Sequence, residues 1–119
     1  MTFLISSLVC AFVVGTVAQA SISSGGKATP VSNGMIANAY TSVSNDTSFH
    51  RVTANLSFKS TGGNVYSTNP VNAYVDSSGN ARAATDDILG TGRISRVQSY
   101  HIWYSRSGDG PAEVVKTLY

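Results

Sequence analysis

His50 and His101 are the side chains of this 119-residue chain with an unperturbed pKa near neutrality. Either could join a serine and one of Asp76, Asp86 or Asp87 in a nucleophile, base and carboxylate triad. A chain this rich in serine makes such triples unavoidable, and it lacks the Gly-x-Ser-x-Gly turn that would expose a nucleophile. Both histidines also fall within strand-like runs, where a half-exposed side chain is the ordinary expectation. The residues therefore point away from enzymatic activity. Metal chemistry is equally poorly supplied, because there is no His-x-His or His-x-x-x-His spacing to make a zinc site. Asp86-Asp87 lacks the alternating acidic spacing of a calcium loop, and a solvated turn is expected there. Gly90-Thr91-Gly92 resembles part of a phosphate-binding loop but leads into a strand pattern, so no helix terminus would face the phosphate. No metal and no cofactor are expected.

Arginine and aromatic residues concentrate in one place. Arg93, Arg96 and Arg106 bracket Tyr100, Trp103 and Tyr104, a mixture able to hold anionic groups by paired hydrogen bonds and sugars by stacking. Arg96, Tyr100, Trp103 and Arg106 are accordingly the candidate binding residues, for a wall precursor or glycan of a cell envelope. The competing reading places Trp103 in the core and the arginines on a solvated rim. Nucleic acid is not expected as a partner, because eight Lys and Arg against six Asp and Glu leave a net charge of only +2.

A strand over residues 93–105 must position these groups. With a period of two, Ile94, Arg96, Gln98, Tyr100, Ile102 and Tyr104 share one face, while Ser95, Val97, Ser99, His101 and Trp103 share the other. Large side chains on both faces after Tyr100 suit a strand covered by a second sheet on one side and a loop on the other. Its Val, Ile, Tyr and Trp content favours strand over helix.

The first twenty residues are apolar and end in Ala18-Gln19-Ala20, the small-x-small pattern of a secretory cleavage site. Residues 1–20 are thus expected to be a signal peptide and the protein to be secreted. The run is shorter than the roughly 20 residues of a membrane helix, so no stable span is expected after cleavage. Cleavage would also remove Cys10, the single cysteine, leaving a chain without disulfides that depends on its own core.

Residues 21–34, rich in Ser and Gly with Pro30, read as a flexible segment, and residues 35–119 as one β-sandwich domain. The first strand is expected over 35–43. Residues 49–59 give the clearest alternation: Val52, Ala54, Leu56 and Phe58 against Arg51, Thr53, Asn55 and Ser57. A turn at 61–64 returns the chain as a hairpin, Asn69-Pro70 interrupts it, and residues 71–76 resume as a short strand. Residues 81–89, closed by Gly90, read as a helical turn or an irregular crossover. A loop at 105–111 precedes a last strand over 112–119. Asn45-Asp46-Thr47 and Asn55-Leu56-Ser57 match the N-glycosylation acceptor pattern. About six short strands with almost no helix predict an all-β fold, a small antiparallel β-sandwich of two sheets.

Ala39-Tyr40, His50 ten residues after the tyrosine, the alternating Val52, Thr53 and Ala54, and the closing aromatic strand 100–104 together resemble the lactococcin 972 type of secreted bacteriocin. That resemblance implies a cysteine-free two-sheet sandwich and interference with septum synthesis through the lipid-linked wall precursor. It supplies no catalytic residue. The sequence thus leads to a secreted non-enzymatic binding protein, bacteriocin-like and antimicrobial, acting on a cell envelope. The alternative is a structural or adhesive surface component that self-associates through sheet edges. The oligomeric state is left open.

Overall fold

The computed structural model describes residues 21–119, so the expected signal peptide and Cys10 lie outside the described residues. The described chain forms nine strands and no helix: β1 (Ile22–Val31), β2 (Gly34–Val43), β3 (Phe49–Ser60), β4 (Val65–Ser67), β5 (Val71–Tyr74), β6 (Ala81–Ala84), β7 (Ile88–Thr91), β8 (Ile94–Ser105) and β9 (Ala112–Thr117). They make two antiparallel sheets. In the first, β2 pairs with β1 along one edge and with β6 and β7 along the other. In the second, β3 and β8 form the centre, β9 flanks β8, and β4 and β5 share the free edge of β3. The expected two-sheet sandwich is the fold, with nine strands in place of about six.

Two segments depart from expectation, both in the first sheet. Residues 21–34 are not a flexible segment: β1 runs through them and pairs residue by residue with β2, from Ile22 with Val43 to Val31 with Gly34. The small residues serve close approach. A Cβ at Gly25 would stand 2.8 Å from the Tyr40 ring, and one at Gly26 would stand 2.6 Å from the Asn38 carbonyl oxygen and 3.0 Å from Leu118. Residues 81–92 hold no helical turn. They form β6 and β7 instead, and Gly90 is not a cap but a floor beneath Phe58, whose ring would be 2.4 Å from an added Cβ.

The interruptions on both split edges use the same device. Thr85, between β6 and β7, donates its backbone N–H to the Ala39 carbonyl (2.9 Å) and accepts the Ala39 N–H at Oγ1 (3.0 Å). Thr68, between β4 and β5, does the same with Leu56, at 2.8 Å and 3.0 Å. A threonine hydroxyl thus stands in for a missing carbonyl, and the central strand keeps its buried N–H satisfied where the edge strand breaks.

The core follows the alternation of β3. Val52, Ala54, Leu56 and Phe58 are fully buried and meet Met35, Ala37, Ala39 and Val43 of β2. Ala37 and Ala39 of β2 are small where β3 and β8 bring Leu56, Phe58 and Trp103, so small and large side chains share one core between the sheets. Trp103 joins this layer, and its indole Nε1 donates to the Ser42 carbonyl of the other sheet at 2.9 Å.

Candidate ligand-binding face

The register of β3 with β8 decides which candidate residues can act together. Opposite the buried Val52, Ala54, Leu56 and Phe58 stand Trp103, His101, Ser99 and Val97, all buried. Trp103, at 2% exposure, is therefore core, on the opposite face of β8 from Arg96 and Tyr100. Arg96 and Arg106 are ten residues apart, about 33 Å in an extended strand. Arg106 lies past the end of β8, where its Nε donates to the Thr47 carbonyl at 2.9 Å. The structure thus does not bring Arg96, Tyr100, Trp103 and Arg106 onto one surface. It leaves Arg96 and Tyr100 together on the outer face of the five-stranded sheet.

The inward face of β8 carries a polar line that alternation alone does not reveal. His101, expected to be half exposed, is fully buried. Its Nε2 lies 2.7 Å from Ser99 Oγ and its Nδ1 2.9 Å from Thr41 Oγ1. In the neutral ring one nitrogen donates and the other accepts, so one hydroxyl must be an acceptor and the other a donor. Burial holds His101 down at about 4, assisted by the nearby Lys116 ammonium and opposed by a hydrogen bond with the Tyr40 backbone. A serine within reach of a histidine has the geometry of a nucleophile and its base. Here both are sealed from solvent, and the third member is a hydroxyl, not a carboxylate. The line locks the sheets together.

The outer face of the five-stranded sheet is the chemically richer surface. Cross-strand partners there form rows: Tyr74, Arg51 and Tyr104; Asn72, Thr53, Ile102 and Glu113; Asn55, Tyr100 and Val115; Ser57, Gln98 and Thr117; Lys59 and Arg96. Thr53 and Ser57 are buried although, among the described residues, no second layer covers them. Their cross-strand neighbours, Asn72 and Ile102 for Thr53 and Ser67 and Gln98 for Ser57, flank these short hydroxyl side chains, which form the floor. At one end the Arg51 guanidinium carbon lies 4.0 Å from the centroid of Tyr104, and His50 tilts against the same ring at 6.2 Å. Tyr74, on the other side of Arg51, is 70% exposed.

Arg51 Nε is buried and has no hydrogen-bond partner among the described residues. A buried donor of this kind is costly, and stacking on Tyr104 recovers only part of what water supplied. No protein family, curated protein or solved structure matches this chain. The site therefore rests on its own geometry. Among the described residues no group of three or more His, Cys, Asp or Glu side chains comes together to hold a metal ion.

Alternation in the sequence puts Arg51 on the polar face of its strand and Tyr74 in a short strand, but it does not name the partner of either. Arg51 and Tyr104 are 53 positions apart in the chain, so only the β3–β8 register brings them together. The one available signal was period two itself. Tyr74 and Arg51 each sit one residue from a core position, and two strands of one sheet place such residues on the same face.

Proposed function

We propose that this protein is a secreted, non-enzymatic binding protein that engages a sugar-bearing component of a cell envelope through the outer face of its five-stranded sheet. The observation that carries this reading is the row Tyr74, Arg51 and Tyr104: a guanidinium stacked on Tyr104 with a buried donor unpaired, and the exposed Tyr74 beside it as its cross-strand neighbour. Tyrosine rings offer flat apolar surface at little conformational cost, and an arginine held flat can pair an anionic group in bidentate fashion. Thr53, Asn55, Asn72 and Gln98 supply neutral donors and acceptors beside them. Ligand exclusion and release need no moving part on an open sheet face.

The edges bear on the rival reading of assembly through strand addition. Lys116 on β9 points inward and its Nζ reaches the Ser24 carbonyl at 2.8 Å, while Pro111 precedes the strand. Lys27 and Pro30 lie on β1, an edge strand of the first sheet. Inward charges and prolines of this kind blunt sheet edges against pairing. The antimicrobial form of the proposal follows from the lactococcin-like resemblance and is tested by growth inhibition of the organisms whose envelope binds.

Co-sedimentation with purified envelope fractions tests the reading. The wild-type chain should pellet with a glycan-containing fraction, and Arg51→Ala with Tyr74→Ala should remain in the supernatant while keeping its melting temperature. Retention of binding by that double variant would exclude this face.

A further inference from the structure

Resting on the reading just given, we propose that the ligand is an extended anionic glycan that lies along β3 and β8 and is held by a cationic group at each end of the sheet face. The second cationic group is the pair Lys59 and Arg96, directly opposite one another across the two central strands. Like charges in that position repel, and the partner on the β4 side of this row, Val65 opposite Lys59, brings no carboxylate. Both side chains are half-buried, which limits the relief water can give. An arrangement that is unfavourable in the free chain becomes favourable when an anion lies between the two.

Arg51 and Lys59 are eight residues apart on β3, about 27 Å at about 3.4 Å per residue. Between them run the short hydroxyls Thr53 and Ser57, the amides Asn55 and Gln98, and Tyr100. Among its strand side chains the face carries three cations, Arg51, Lys59 and Arg96, against the one side-chain carboxylate Glu113, which leaves +2. The other five acidic residues, Asp46, Asp76, Asp86, Asp87 and Asp109, all lie outside strands. The chemistry is that of a sparsely charged polymer: anionic groups at intervals, neutral hydroxyls between, and sugar rings to rest on tyrosine. A strand of nucleic acid, with a charge on every residue, would need a denser cationic lining. The anion on the sugar chain can be a carboxylate or a phosphodiester, since a guanidinium pairs either.

Calorimetric titration of the purified chain with hyaluronan oligosaccharides of four to twelve sugars, carboxylated on alternate rings, tests this directly. Phosphodiester-linked sugar oligomers, chitin oligosaccharides of matched length as neutral controls, and a single-stranded oligonucleotide form the other arms. Affinity for at least one of the two anionic series should rise tenfold or more once the oligomer spans about 27 Å, and the arm that shows this identifies the anion. Lys59→Ser with Arg96→Ser should abolish the gain for long oligomers, leave short ones unaffected, and hold or raise the melting temperature, since the repulsion between the two cations is removed. Equal affinity for charged and neutral oligomers, or no dependence on length, would overturn the inference while the Arg51 and Tyr74 effect still supported envelope binding. Preference for the oligonucleotide would also overturn it. If no glycan binds and no envelope fraction is retained, the binding reading itself fails.

Discussion

Thr41 Oγ1 lies 2.9 Å from His101 Nδ1 and so joins the two sheets by a hydrogen bond at the centre of the sandwich. With Ser99 on the other ring nitrogen, the imidazole has a partner at each polar atom and is fully enclosed. Such a network is stable only while the ring is neutral, because a charged imidazolium would be desolvated and would face Lys116.

This sets the acid response. The folded-state value of His101, about 4, lies below the ordinary 6.5, so the unfolded chain takes up the proton first as pH falls. Stability is full above about 6.5 and declines towards about 4, by a total on the order of 3 kcal/mol. Urea unfolding at pH 7 and pH 4.5 should show this loss in the wild type, and His101→Phe should lack most of it. An identical acid loss in both would place the effect on other groups.

The hydroxyl partners can be tested separately. Thr41→Val and Ser99→Ala each leave one ring nitrogen unpaired in the core, at a cost of about 1 to 3 kcal/mol. Chemical denaturation that detected no loss in either variant would mean that the line contributes nothing to stability.

Much of the second sheet was legible in the sequence, because β3 alternates cleanly and β8 holds the large residues. Leu56 and Ser57 show why the alternation was informative: Leu56 faces the other sheet, while Ser57 sits on the outer floor. Leu56→Ala should cost about 2 to 5 kcal/mol, and Ser57→Ala well under 1 kcal/mol. Similar effects at both, measured by thermal or urea unfolding, would contradict the face assignment.

The first sheet was less legible for a physical reason. Ser23, Ser24, Gly25 and Gly26 have little strand preference of their own and are held extended by pairing with β2, a contact that local composition does not encode. Ala81 to Leu89 likewise has no strand pattern, and its two short pieces are bound by β2 and bridged by Thr85. Trp103 and Arg106 do not share a surface with Arg96 and Tyr100, because closeness along a strand is not closeness on one face. Alternate residues of β8 point to opposite faces, and Arg106 lies beyond the sheet.

Gly90 gives a sharp test of the first sheet. Gly90→Ala would drive a methyl into the Phe58 ring and should destabilise by about 1 to 3 kcal/mol, whereas Gly110→Ala, with open space around it, should be nearly neutral. Equal melting temperatures for the two variants would show that β7 does not pack beneath Phe58.

The most direct test of the binding face is a map of backbone amide shifts in the isotope-labelled chain on titration with hyaluronan oligosaccharides and with phosphodiester-linked sugar oligomers. The changes expected with the ligand that binds fall on Arg51, Asn55, Lys59, Tyr74, Arg96, Tyr100 and Tyr104, with the first sheet and the loop around Arg106 unmoved. Changes confined to β1, β2 or the strand edges, or none at all with either ligand, would contradict the assignment of function to this sheet.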